Sequence, residues 1–508
     1  MIRTVMTENG MVRGIEAADP RITAFKGIPF AAPPIGENRW RAPQPCRNWE
    51  GVLDAYRFAP ISVQDTPGIG DDVYIREWHV DPDIAMNEDC LYLNVWSSAK
   101  STEEKQPVLV WFFGGGLQWG YPAEMEFDGE RLARRGVIVV TVNYRINIFG
   151  FLAHPEITKE QPEAPANFGH LDQQAGLKWV IRNIEAFGGD PNNITIAGQS
   201  AGGGSVLSQM TCPDNFGLFQ RAVIQSAMIH SPYKEKSIAW PHPLNESEKL
   251  GEEFFRFVGA TNLHEARQLD AFYLRDMYGK FRAGHEWMGT TIDGKFCIGD
   301  PLKLFMNNKH AMVPVMSGNT SEEFLNYIHA ESDSELEEKA KNIFGKEAEE
   351  FLQFPEAWEK DSKNNYANVS GIECAVKSTF LHNKELGNPQ NNFYYRFDAD
   401  IPGWDKAGNF HSVDLWFFFE TLAKSWRPFT GKHYDLSRLM CNYWVNFIKN
   451  GDPNGPDADG SAMPKWLPYT KETPYDMLFS TEGVGQEEKE ENPFIKFLIA
   501  RSSEELLK

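Results

Sequence analysis

Gly198-Gln199-Ser200-Ala201-Gly202 fits the pattern G-x-S-x-G. Small residues around a serine let the chain turn sharply, so the hydroxyl stands clear of the backbone. The chemistry this allows is nucleophilic attack on an acyl carbon. The Ala201 N–H and the start of a following helix would face the oxyanion that such an attack creates. Five residues are a weak signal alone, because Gly-rich turns are common. The context strengthens it. Asn193–Ala197 reads as a short strand and Gly202–Met210 as a helix, which is the setting a nucleophile elbow needs. Upstream, Gly114-Gly115-Gly116 follows the apolar run Pro107–Phe113. Glycines there let two successive N–H groups point at one spot, and a single oxyanion donor contributes about 3 kcal/mol. The bland alternative is a flexible turn. Its position ahead of a nucleophile elbow favours an oxyanion hole.

A serine hydroxyl needs a neighbouring base, and that base needs an orienting acid. In α/β-hydrolases the chain order is Ser, acid, His. Nine His follow Ser200, most of them in polar stretches. His411 lies in a Gly/Asn loop before the very apolar Leu415–Phe419, at the rim of a core. Spacing alone does not choose it over His382 or His433. For the acid, Glu322 and Glu323 both follow the short apolar run Val313–Met316. Asp293, in Asp293-Gly294, is a third candidate, though Asp-Gly is more often a turn.

Elements must hold these groups together. Apolar runs at Pro107–Phe113, Gly136–Tyr144, Asn193–Ala197, Val313–Met316 and Asn392–Phe397 alternate with helical patterns, His170–Phe187 being the longest. That alternation predicts a mostly parallel, doubly wound α/β sheet. Residues 228–310 and 329–390 turn helical and polar. They predict insertions forming a lid or side wall, on one domain spanning residues 1–508.

Net charge is −21 in 508 residues, which argues against nucleic acid and anionic membranes as partners. No basic-then-apolar leader is visible, and no run of about 18 apolar residues occurs. Six Cys without short paired spacings argue against a disulfide scaffold and a zinc site, and fit a cytoplasmic protein. The charge run Glu487–Glu491 reads as a solvated loop.

The chain resembles the type-B carboxylesterases, a family that includes the cholinesterases, from about Val12 to Pro453. Phe25–Ala31 resembles the N-terminal motif of that family, and Glu88–Val95 matches one of its signatures. Phe187-Gly188-Gly189-Asp190-Pro191 leads into the second signature around Ser200; Asn143-Tyr144-Arg145 and Gly451–Asn454 are further landmarks. The resemblance implies an α/β-hydrolase fold and a cofactor-free, metal-free serine esterase acting on small-molecule esters. It implies a triad of Ser200, Glu323 and His411, with Gly115, Gly116 and Ala201 as oxyanion donors. The motif G-x-x-x-D-E-G falls on Gly318–Phe324, with Phe324 in place of the last Gly.

Other departures bear on substrate. Phe113 stands where esterases often have His, and Gln199 where a Glu is common. The loss of that charge weakens any case for a choline substrate. Trp78 lies near the place of the choline-stacking Trp, but its spacing does not match cleanly. Glu286-Trp287-Met288-Gly289 lacks the Phe cluster that narrows cholinesterase acyl pockets, implying a roomier acyl side. Cys90 would pair with an upstream Cys in secreted members; the matching position is Ser62, which implies a free thiol. The resulting expectation is hydrolysis of neutral, apolar or aryl esters. Some relatives are adhesion proteins without the triad, and the intact set argues against that role. Amide or carbamate hydrolysis by the same site stays open.

Overall fold

The computed structural model describes residues 1–233, 241–457, 459–486, 488 and 490–508. Eleven strands form one sheet. Their order is Gly483–Gln486, Met477–Ser480, Asn392–Phe397, Val315–Thr320, Arg221–Gln225, Gly189–Gln199, Gln106–Phe112, Ile138–Val142, Tyr92–Ser97, Thr23–Pro29 and Ile15–Glu16. From Met477–Ser480 to Ile138–Val142 every pairing is parallel. The outer pairings are antiparallel. Every residue of Ile138–Val142 is buried. Side chains alternate between faces, so both faces of the sheet are covered. That is why these strands read as unbroken apolar runs.

The expected helices and strands are present with shifted ends. The long helix is Phe168–Asn183 and the one after Ser200 is Ala201–Thr211. The strand before Ser200 is longer than the NITIA core, at Gly189–Gln199. One antiparallel pair, Leu325–His329 with Asn365–Ser370, was not expected.

In the 228–310 stretch, 234–240 lie outside the described residues. The rest carries helices Leu244–Val258, Leu263–Gln268, Ala271–Phe281 and Pro301–Met306. Helix Leu244–Val258 buries Gly251, Phe254, Phe255 and Val258, a single stripe at helical spacing, and ends at Gly259 with φ 79°. The 329–390 stretch carries helices Asp333–Phe344 and Gly371–Glu385. Its apolar cluster closes on Phe494 and Leu498 of the last helix, Pro493–Leu507.

One expectation needs correction. Glu487 and Lys489 lie outside the described residues, but Glu491 is not a solvated charge. It accepts from the buried Lys377 ammonium at 2.6 Å. Among the described residues no helix is long and apolar enough to cross a membrane.

Candidate active site

Ser200 sits between strand Gly189–Gln199 and helix Ala201–Thr211 with φ 57° and ψ −129°. This region is costly for a residue with a Cβ, and the surroundings impose it. The Ser200 N–H donates to the Gln225 carbonyl at 2.8 Å, and the Gly204 N–H donates to the Ser200 carbonyl at 2.8 Å. A Cβ on Gly202 would lie 2.1 Å from the Phe112 carbonyl oxygen, so only glycine fits under the elbow.

Strand Val315–Thr320 ends just before Glu322 and Glu323, and the loop after Asn392–Phe397 carries His411. Glu323 is 1% exposed and His411 7% exposed. One carboxylate oxygen of Glu323 accepts from the Ser226 hydroxyl at 2.6 Å and the Thr320 N–H at 2.7 Å. The other faces His411 Nδ1 in hydrogen-bond contact. With that nitrogen protonated, His411 Nε2 is an acceptor, and it takes a hydrogen bond from the Gln199 amide at 3.2 Å. The Ser200 hydroxyl has no hydrogen-bond partner among the described residues and faces the same cavity as His411. Glu322 points elsewhere, accepting from the Asn409 N–H at 2.7 Å and so anchoring the His411 loop. Phe324 lies against His411, with ring centroids 4.2 Å apart.

The glycine loop follows strand Gln106–Phe112. Gly114 passes against the elbow, where an added Cβ would be 3.2 Å from Ser200 Cβ. Gly115 has φ 108° and Gly116 φ 62°, and their N–H groups donate to no protein acceptor among the described residues. Every one of these groups leaves the carboxyl end of a central parallel strand, the edge where such sheets bind ligands.

They open on one cavity of about 750 Å³, walled by aromatic rings including Tyr74, Trp78, Trp119, Trp287 and Phe324. Glu124, Glu126 and His79 also border it. Burial and the facing Glu124 carboxylate hold the Glu126 pKa well above the usual carboxylate range. Burial would lower the His79 pKa, but the Glu124 charge and a 3.2 Å contact outweigh it and raise it.

A family model for the carboxylesterase family matches residues 2–497. The chain belongs to that family. This carboxylesterase is 31% identical to a mouse (Mus musculus) cholinesterase, over 91% of this chain and 81% of that protein. It is 32% identical to a fumonisin B1 esterase of Sphingopyxis macrogoltabida, over 88% of this chain and 82% of that one. Among solved structures, a thermophilic PNB esterase aligns with TM-score 0.77 and 26% identity over 100% of both chains. A Geobacillus stearothermophilus carboxylesterase aligns with TM-score 0.76 and 27% identity over 98% of this chain and 99% of that one. The fold is thus an α/β-hydrolase, and the protein is a carboxylic ester hydrolase of the serine class.

The rival candidates of this carboxylesterase sit elsewhere. Asp293 accepts from Asn167 and from the Lys295 and Cys297 N–H groups, a turn acid with no contact to His411. His433 caps its own helix through the Thr430 N–H, and His382 lies 3.6 Å from Glu385. Trp78 lines the cavity. Trp287 lines it too, edge-on to Trp119 with centroids 5.3 Å apart, and 3.4 Å from where a Gly116 Cβ would be. Phe113 is fully buried and stacked on Tyr144, away from the cavity. None of the cavity's lining residues comes from 329–390, whereas 241–310 supplies several, among them Trp287 and Lys303. All six cysteines are free, and burial raises the Cys90 pKa. Glu373, Asp476 and Glu491 have metal-ligand spacing, but Lys377 Nζ occupies their centre at 2.6, 2.9 and 2.6 Å.

Nothing in the residue pattern marks Ser226, Gln199 or Glu322 as partners of the acid, the base and the base's loop. Positive φ at Ser226 (50°), Phe324 (39°) and Ser412 (81°) marks the same neighbourhood, and nothing in those residue types announces it.

Proposed function

We propose that Ser200, His411 and Glu323 act as nucleophile, base and orienting acid in hydrolysis through an acyl-enzyme. The observation that carries this is convergence: a free serine hydroxyl, an imidazole held by a buried carboxylate, and two unengaged glycine N–H groups border one cavity. Ser200 Oγ attacks the ester carbonyl while His411 Nε2 takes its proton. Glu323 holds the Nδ1–H tautomer and stabilises the imidazolium. The N–H groups of Gly115, Gly116 and Ala201 receive the oxyanion. His411 then protonates the leaving alcohol, and water repeats the sequence on the acyl-enzyme. The Gln199 amide must move off His411 Nε2 for that nitrogen to serve Ser200, a tightening that substrate binding commonly supplies.

The alcohol group is uncharged, apolar or aryl. Gln199 brings no charge beside Ser200, the Glu126 pKa is raised well above the usual carboxylate range, and Glu124 faces His79 at 3.2 Å. Trp78 offers a stacking wall for such a group. The same reading treats residues 1–508 as one catalytic domain with its helical insertions, working in a reducing cytoplasm where six free thiols persist.

Ser200→Ala tests the reading on 4-nitrophenyl butyrate. Loss of such a nucleophile costs about 10⁶ in kcat. Retention of more than about a tenth of wild-type turnover would refute the assignment.

A further inference from the structure

Part of the cavity's aromatic wall hangs on a segment with little regular structure of its own. Between strands Val52–Asp54 and Tyr92–Ser97, the one helix among the described residues is Val73–Glu77, five residues long. The segment is pinned at its neck, where the Ile61 N–H donates to the Ala85 carbonyl at 2.9 Å and the Asn87 N–H to the Ile61 carbonyl at 3.0 Å. Beyond that neck, so short a helix holds its place through tertiary contacts rather than by itself. Tyr74, Trp78 and His79 of this segment line the same cavity as Ser200 and His411.

Glu77, the neighbour of Trp78, supplies the contact. Its side chain and that of Arg427 are both fully buried. Arg427 Nε donates to one Glu77 oxygen at 2.7 Å, and Arg427 Nη2 lies 2.6 Å from the same oxygen. Trp426 Nε1 donates to that oxygen at 3.2 Å, and Trp416 Nε1 donates to the other at 3.0 Å. These partners belong to the chain around the base. Trp416 lies on the short helix Leu415–Phe418, just after His411. Arg427 also donates to the Pro402 carbonyl at 3.0 Å and to both Asp405 oxygens at 2.9 Å. Its guanidinium sits 5.2 Å from the ring centre of Phe410, which precedes His411. The Trp78 ring packs 6.3 Å from that of Phe410 and 6.0 Å from that of Trp416. A buried ion pair is weak evidence for stability, because apolar residues of similar volume often do as well. What it adds is direction: charge-assisted hydrogen bonds on both oxygens leave the carboxylate one place to be.

We propose that Glu77 is a positioning residue. Through Arg427, Trp416 and Trp426 it locks Trp78 to the His411 loop, so the wall that receives an aryl alcohol group keeps its place relative to the base. The proposal rests on the esterase reading above.

The test is the ratio of kcat/KM for phenyl butyrate to that for methyl butyrate, two esters that form the same butyryl-enzyme. In Glu77→Gln the amide NH₂ meets a donor whichever way it turns, since Arg427, Trp416 and Trp426 are all donors. The ratio should fall about fivefold, the size that one aromatic contact carries. Trp426→Phe removes one donor, keeps the ion pair, and should lower the ratio about twofold. Trp78→Ala should lower it alone, and Glu77→Gln added to Trp78→Ala should lower it no further, because the clamp acts through that ring. A role in folding alone would lower both esters together and leave each ratio at its wild-type value. If Glu77→Gln gives no soluble enzyme, Glu77→Leu with Arg427→Met replaces it, with the same fall expected. That pair leaves neither charge of the clamp unmatched, and Asp405 keeps Arg76 at 3.8 Å. A ratio that the Glu77 variant or Trp78→Ala leaves within about 1.5-fold of wild type overturns the proposal. So does a full further fall when the two are combined. Either result leaves the esterase reading intact. Wild-type turnover of both esters by Ser200→Ala would remove that reading, and this proposal with it.

Discussion

Glu323→Gln replaces one carboxylate oxygen by an amide NH₂ in a place where both oxygens are occupied. One accepts from the Ser226 hydroxyl at 2.6 Å and the Thr320 N–H at 2.7 Å; the other faces His411 Nδ1. An NH₂ toward Thr320 sets donor against donor on a backbone that cannot turn away. The amide therefore places its NH₂ toward His411, where it requires a bare Nδ1. The proton then moves to Nε2, and the imidazole can no longer take the Ser200 proton. Such a wrong tautomer costs about 10⁴ in kcat, or roughly 5.4 kcal/mol of transition-state stabilisation. Glu322→Gln is the contrast. Its one described task is to accept from the Asn409 N–H at 2.7 Å, which an amide oxygen does as well. Less than about a tenfold loss follows, because the imidazole keeps its tautomer. Steady-state kcat on 4-nitrophenyl butyrate, with folding checked by circular dichroism, decides it. Equal and mild effects from both variants would refute the reasoning, as would a Glu323→Gln enzyme within tenfold of wild type.

Other consequences are as specific. Gly202→Ala should leave little soluble, active enzyme, since its Cβ would lie 2.1 Å from the Phe112 carbonyl oxygen; an expression and activity assay reads this. Gln199→Glu places a negative charge beside His411 Nε2, favours imidazolium, and should raise the acidic limb of the kcat/KM pH profile by about one unit. An unmoved limb would mean that Gln199 does not touch the base in solution. Asp414, buried near Glu323, has its pKa raised to about 6 by burial first and the Glu323 charge second. A raised carboxyl binds its proton more tightly folded than unfolded, so stability from this group rises as pH falls through about 6 and is absent above it. Asp414→Asn should therefore raise Tm more at pH 7 than at pH 5, and the opposite order in a thermal scan contradicts the assignment. Finally, 4-nitrophenyl butyrate should exceed butyrylcholine by at least about 100-fold in kcat/KM, or roughly 2.7 kcal/mol. Similar values would show a working cation site, with Trp78 the first residue to mutate.

What could be read from the sequence follows from how local each signal is. The elbow at Ser200 and the Gly114–Gly116 loop are contiguous, and their glycines are demanded by backbone geometry within a few residues. The acid and base are not local. Val315–Thr320 and Asn392–Phe397 are sheet neighbours only after folding, so His411 stood level with His382 and His433 until family resemblance separated them. Glu322 and Glu323 are adjacent, yet the chain turns one to the Asn409 N–H and the other to His411. No composition rule distinguishes them. The Leu325–His329 and Asn365–Ser370 pair escaped notice because neither strand alternates cleanly between apolar and polar residues. Trp78 and Trp287 are single aromatics in irregular stretches, and only packing reveals that they face the cavity.

The central claim is a covalent acyl group on Ser200. The direct measurement is peptide mass mapping of the wild-type protein quenched in acid within the first turnover of excess 4-nitrophenyl butyrate. The account predicts one butyryl group, on the peptide containing Ser200, and none in the Ser200→Ala variant treated in the same way. A butyryl group on another residue, or turnover by Ser200→Ala at the wild-type rate, would contradict it.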